Sequence, residues 1–142
     1  MKYNKDEYLN DQTNKTFCIL PWIHSYIHTN GEVRLCCVSA PVLGKLDENT
    51  SWEQIWNNDR YKKVRRAMLN NEPIDSCQQC YRIDKLNPQM PDSLRAGSNR
   101  AFGHRHFDDI VQNTNDDGSL DSMDIKYVDI RWNNVCNFKC RM

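Results

Sequence analysis

Cys18 is followed by twelve residues, then Gly31, four more residues and Cys36; farther on comes the pair Cys77-x2-Cys80. This spacing constrains the fold more than any other feature of the chain. Ile23 to His28 and Glu32 to Val38 are rich in β-forming residues, and they flank Asn30-Gly31, a dipeptide that favours a tight type I′ turn. A hairpin from Phe17 to Val38 would lay the loop before its first strand beside the end of its second, making Cys18 and Cys36 neighbours. The two-residue gap in Cys77-x2-Cys80 lets both sulfurs meet one metal centre. Four thiolates satisfy either a tetrahedral zinc or a cubane iron–sulfur cluster. Three other readings fit the spacing less well: unrelated buried thiols, a thioredoxin-type pair opening a helix after a strand, and a disulfide framework. His24 and His28 share a strand face and are expected half exposed on the hairpin rather than ligating. Adjacent strand residues point to opposite faces, so Cys36 and Cys37 cannot easily both serve one centre, and the Gly-x4-Cys spacing selects Cys36.

A second pattern closes the chain. Cys136-x3-Cys140-x2 is the spacing of a three-thiolate iron–sulfur site whose third ligand would fall at position 143. The pair directly follows an expected strand, Asp124–Trp132, with Val128, Ile130 and Trp132 on one face. Loops at the C-terminal ends of strands are where α/β barrels place their chemistry.

Composition narrows the class. Lys plus Arg and Asp plus Glu are 19 each, so no basic excess argues for nucleic acid. The apolar fraction of 39 % is below the usual ~45–50 %, and a thin core gains from a metal staple. No apolar run approaches the roughly 18–20 residues that span a bilayer, and the polar N-terminus does not read as a signal peptide. A cytoplasmic location is expected, where the seven cysteines stay reduced and clusters of them serve metal or catalysis.

The expected fold class is α+β: a small cysteine-rich metal-binding domain of hairpin and short helices, then the first strand of a truncated α/β barrel. Residues 1–16 read as a flexible N-terminus and 17–82 as the metal-binding unit. Residues 83–123 read as a linker, weakly helical at best over 93–112, and 124–142 as the start of an incomplete second domain. Thr50 and Ser51 offer N-caps with Glu53 and Gln54 as capping-box partners. Asp59 could cap a second helix with Tyr61, Val64 and Met68 inward, while Lys62, Lys63, Arg65 and Arg66 form a solvated face. Asn113 to Asp121 reads as a polar linker.

The segments Phe17-Cys18-x2-Pro21-Trp22, Asn30-Gly31-x4-Cys36-Cys37 and Cys77-x2-Cys80 resemble the twitch domain, a shortened SPASM domain. Asp129 to Met142 resembles the opening strand and cluster loop of a radical S-adenosylmethionine enzyme. The resemblance implies an auxiliary 4Fe-4S cluster on Cys18, Cys36, Cys77 and Cys80. It implies further that Cys136 and Cys140 supply two of three ligands to a catalytic 4Fe-4S cluster that binds and reductively cleaves S-adenosylmethionine. The implied partners are an electron donor and a peptide or small-molecule substrate, without nucleic acid or membrane. No catalytic residue proper is expected within the chain, and two thiolates of the closing motif leave it inactive by itself. The rival reading is a zinc-binding interaction module built on the same four upstream cysteines, without activity.

Overall fold

A computed structural model describes residues 1–133 and 135. In chain order the elements are α1 (Lys5–Leu9), α2 (Leu20–Ile23), β1 (His24–Ile27), β2 (Glu32–Arg34), β3 (Gly44–Lys45), α3 (Trp52–Trp56) and α4 (Asp59–Leu69). They continue as α5 (Gln78–Leu86), α6 (Leu94–Ser98), α7 (His104–Ile110) and β4 (Tyr127–Ile130). The class is α+β, with a four-stranded mixed sheet in the order β3-β2-β1-β4.

The hairpin forms where the β-formers concentrate, pairing Tyr26 with Arg34 and Ile27 with Val33. Its turn differs from type I′, because Gly31 has φ +84° while Asn30 is not in the positive-φ region. The Gly31 amide donates to the His28 carbonyl and the His28 amide to the Glu32 carbonyl. That is a three-residue loop closed by a left-handed glycine. The Asn30 side chain accepts from the Glu32 amide at 3.1 Å, a local bond that competes with the two-residue turn. β4 runs parallel to β1 and pairs His24 with Tyr127 and Ile27 with Ile130. β1 therefore lies inside the sheet, and all four of its residues are buried. β4 is shorter than the expected 124–132: Trp132 lies past its end and is exposed, and Val128 is at the surface too.

Helix α3 starts as its sequence indicates, with Ser51 and Gln54 making the reciprocal capping box. For α4 the cap is Asn58 rather than Asp59: its side chain accepts from the Arg60 and Tyr61 amides. Tyr61 and Met68 are buried on its inner face as expected. Its cations do not all face solvent. Arg65 is fully buried, donates to the Pro21 carbonyl at 3.0 Å, and lies against the rings of Trp56 and Tyr61. Lys62 and Arg66 reach Asp117, at its side chain and its carbonyl respectively. These contacts dock residues 115–120 onto α4, so that stretch is packed structure rather than a linker.

Two further segments exceed their sequence signals. Residues 94–113 are helical almost throughout, through a π-helical turn at Asn99–Gly103 and a 3-10 turn at Val111–Asn113. Gly97 and Gly103 weaken the helical propensity there, but Phe107, Ile110 and Val111 are buried and tertiary packing outweighs the deficit. The N-terminal residues pack as well. Tyr8 stands edge-on to Phe17 and donates to the Leu69 carbonyl, and Lys5 pairs with Asp108. The core thus joins Tyr8, Phe17, Trp22, Ile23, Val33, Trp56, Tyr61 and Phe107 in one cluster.

Candidate metal centre

Cys18 sits where the chain enters α2. The Asn14 side chain accepts from the Phe17 amide at 2.8 Å, turning the backbone just before it, and Pro21 at the start of α2 fixes the direction after it. Cys36 lies two positions beyond the end of β2, where the Ser39 amide bonds back to its carbonyl at 3.2 Å. Cys77 ends the 3-10 turn Asp75–Cys77, and Cys80 falls in the first turn of α5. Pro73 is followed by that turn, so the pair opens a helix that follows α4 rather than a strand.

These four cysteines, from three separate segments, line one small cavity. Leu20, Val38 and Leu94 supply apolar wall, and the one charged residue on the lining is Arg95. Cys18 and Cys80 are buried, Cys36 and Cys77 partly so, and Cys37 is exposed and off the cavity. All five are free thiols. Among the described residues no three His, Cys, Asp or Glu side chains close on a point tightly enough for a single ion. Four thiols on one cavity are the donor set of either a tetrahedral zinc or a cubane iron–sulfur cluster. Cys136 and Cys140 lie outside the described residues.

Electrostatics set the protonation of this cavity. Burial raises the Cys18 thiol well above its ordinary value, and the nearby Cys77, Cys36 and Cys80 add to the rise. Burial likewise pushes Cys36 up to about 12, again with Cys77, Cys37 and Cys80 contributing. Cys77 is raised by burial and by Cys80, while Ser76 and Arg95 oppose the rise. Several anions cannot share a dry space without a cation. A bound metal would reverse the balance and expel the protons, and the N-terminus of α5 points its partial positive charge the same way.

Residues 18–81 match the family model of SPASM, an iron-sulfur cluster-binding domain. The match runs from the first cavity cysteine to one residue past the last. No curated protein and no solved structure matches the chain.

Neither hairpin histidine reaches the cavity. His24 is buried rather than half exposed, stacked on Tyr127 at 4.1 Å between ring centroids, and burial lowers its pKa. His28 is partly exposed at the turn beside Asn30. Sequence reasoning missed Arg95, which reaches the cavity from α6, outside the matched span. No spacing signal ties it to the cysteines; the nearest clue is Ser93, which caps α6 by accepting from the Ala96 amide and so marks a true helix start. Among the described residues no helix is long and apolar enough to cross a membrane.

Proposed function

We propose that Cys18, Cys36, Cys77 and Cys80 hold an auxiliary 4Fe-4S cluster in a radical S-adenosylmethionine enzyme, of which this chain contributes the auxiliary domain and two ligands, Cys136 and Cys140, of the catalytic cluster. The observation that carries the reading is the convergence of four free thiols on one mostly apolar cavity inside the matched span. When bound, such groups supply one-electron chemistry and the reductive cleavage of S-adenosylmethionine. The protein's own part is to position and insulate. Cys18 and Cys80 are buried, Leu20 and Val38 supply apolar wall, and the hairpin turn sets Cys36 against Cys18. Dry surroundings and hydrogen bonds to the sulfurs are the means by which a protein sets a cluster's potential. On this reading the partners are an electron donor and a peptide or small-molecule substrate, and the compartment is the cytoplasm.

Anaerobic reconstitution with iron and sulfide tests the cluster. The expected product is a brown protein with broad visible absorption and about four irons on the upstream thiols. Tight, stoichiometric, colourless zinc with no uptake of iron would establish the four-cysteine zinc module instead. The enzymatic part is tested by following release of 5′-deoxyadenosine from a chain extended by a cysteine at position 143 and the remaining barrel. An extended chain that loads both clusters yet releases none after reduction would overturn it.

A further inference from the structure

The thiol cavity has a charged wall that belongs to neither the cysteine motif nor the matched span. Arg95 is 2 % exposed and lines the cavity. Its Nε donates to Asp84 Oδ2 at 2.8 Å, Nη1 to the Phe17 carbonyl at 3.0 Å, and Nη2 to Asp11 Oδ1 at 3.1 Å. One helical turn later Asn99, also buried, donates from Nδ2 to the same Phe17 carbonyl at 3.0 Å. Its Oδ1 accepts from the Ile19 amide at 2.9 Å. The carbonyl before Cys18 and the amide after it are therefore both held by one helical face. Asp84 lies one turn beyond Cys80 on α5. Arg95 thus ties the segment bearing Cys18 to the helix bearing Cys80.

A buried ion pair needs no functional explanation by itself, and its net contribution to stability is commonly small. Two details go further. Arg95 is among the residues that line the cavity, whereas its partners Asp84 and Asp11 are not. And the same side chain that carries the charge also fixes the ligand backbone, with Asn99 repeating the hold without any charge.

Resting on the reading that the four thiolates hold an iron–sulfur cluster, we propose that Arg95 and Asn99 are positioning residues for it. Together they fix Cys18 relative to Cys80, and the Arg95 guanidinium alone supplies a buried positive charge that raises the reduction potential. One-electron reduction adds a negative charge to the cluster, and a fixed cation beside it favours the reduced state.

The test is an anaerobic redox titration of the reconstituted 142-residue chain, read by electron paramagnetic resonance, with iron release to a chelator followed in parallel. Arg95→Gln should lower the reduced-to-oxidised ratio at a fixed potential about tenfold, a downward shift of about 59 mV for a one-electron couple. It should also release iron several-fold faster. Arg95→Lys should keep most of the potential, having the charge but not the fork, while releasing iron faster. Asn99→Ala should release iron faster at an unmoved potential.

An unmoved potential in Arg95→Gln overturns the charge role even if its iron leaves faster. Wild-type rates of iron release in both Arg95→Lys and Asn99→Ala overturn the positioning role. If Arg95→Gln does not fold, those two variants decide the proposal: faster loss of iron from both, at a potential retained because the cation remains in both, supports it. Failure of the wild-type chain to take up iron overturns the cluster reading itself and is seen before any variant is compared.

Discussion

At one end of the molecule Tyr8, Phe17, Trp22 and Phe107 meet edge to face or tilted, with ring centroids 5.3 to 5.8 Å apart. That space is filled by the protein's own atoms, and its cohesion is apolar burial plus aromatic geometry. At the other end Cys18, Cys36, Cys77 and Cys80 face a cavity, and the raised pKa values of three of these thiols mark a place where anions need a cation. Phe17 and Cys18 are adjacent, so one peptide bond separates a region packed on itself from one built around a binding space. The first end should behave as ordinary folding core. The second should gain most of its stability from what it binds, since a site absent from the unfolded chain turns binding free energy into folding free energy.

The largest effect that separates the two ends is on iron. Cys18→Ala and Cys80→Ala should each lose nearly all reconstituted iron, while Phe107→Ala, at comparable burial, should load iron once folded. Phe107→Ala should in turn cost about 3–5 kcal/mol in denaturant unfolding of the metal-free chain, because Phe107 is fully buried against Tyr8 and Phe17. Cys18→Ala should cost the metal-free chain far less. Equal losses of metal-free stability would erase the distinction between the ends.

The cysteine end was legible in the sequence because its signal is local in two places: a glycine turn sets Cys18 opposite Cys36, and a two-residue gap sets Cys77 beside Cys80. Those spacings make two pairs; that the pairs share one cavity was implied by the family resemblance and not by spacing. What supports them was not legible. Arg95 meets Asp84, Asp11 and Phe17 across separations that no periodicity encodes, and its helix looked weak because Gly97 and Gly103 dilute the propensity. The same failure explains Arg65. Four cations in five residues of α4 resemble a solvated face, and only the tertiary position of the Pro21 and Gly118 carbonyls makes one of them a core residue. Tyr8 and the N-terminal helix went unnoticed for a related reason, since five helical residues carry no periodic pattern of their own. Spacing reveals neighbours along a strand or turn; docking between distant segments is decided by shape.

A pH titration sharpens the comparison next. A thiol whose folded-state pKa exceeds its unfolded value contributes stability that is fully present below the unfolded value and is lost as pH rises through the folded one. For Cys36 that window runs from about 9 to about 12, and Cys18 and Cys77 shift in the same direction. The metal-free chain should therefore lose stability progressively above about pH 9. Buried phenols such as Tyr61, also raised to about 12, add to the loss in either state. The loaded chain should lack the thiol part, because its sulfurs are already deprotonated on the metal. Thermal melts of both forms from pH 8 to 11 measure the difference, and parallel curves would show that the thiols are not the groups bound.

The hairpin turn should matter less. Gly31 has φ +84°, and a Cβ there would approach the Leu46 carbonyl oxygen to 2.7 Å. Gly31→Ala should cost roughly 1–2 kcal/mol from the left-handed conformation alone, more with the clash. Because the turn sets Cys36 against Cys18, the variant should also bind iron more weakly, in contrast to Ser51→Ala. That substitution removes the α3 cap for about 1 kcal/mol while touching no segment that bears a cavity cysteine.

The smallest effect belongs to Cys37, one residue from the most sensitive part of the molecule. Cys36 and Cys37 are chemically identical, and in sequence only the Gly-x4-Cys spacing favours Cys36. The backbone separates them: Cys36 is half-buried on the cavity wall, whereas Cys37 is exposed and off it. Cys37→Ala removes a surface thiol without opening a hole, so its effect on stability should stay within about 0.5 kcal/mol, and iron content should equal wild type. Cys36→Ala should lose most of the iron. Iron analysis of the two variants after identical reconstitution checks the pair. Loss of iron in Cys37→Ala with retention in Cys36→Ala would mean that loading re-registers the chain after β2, so that the metal-free cavity would not be the loaded site.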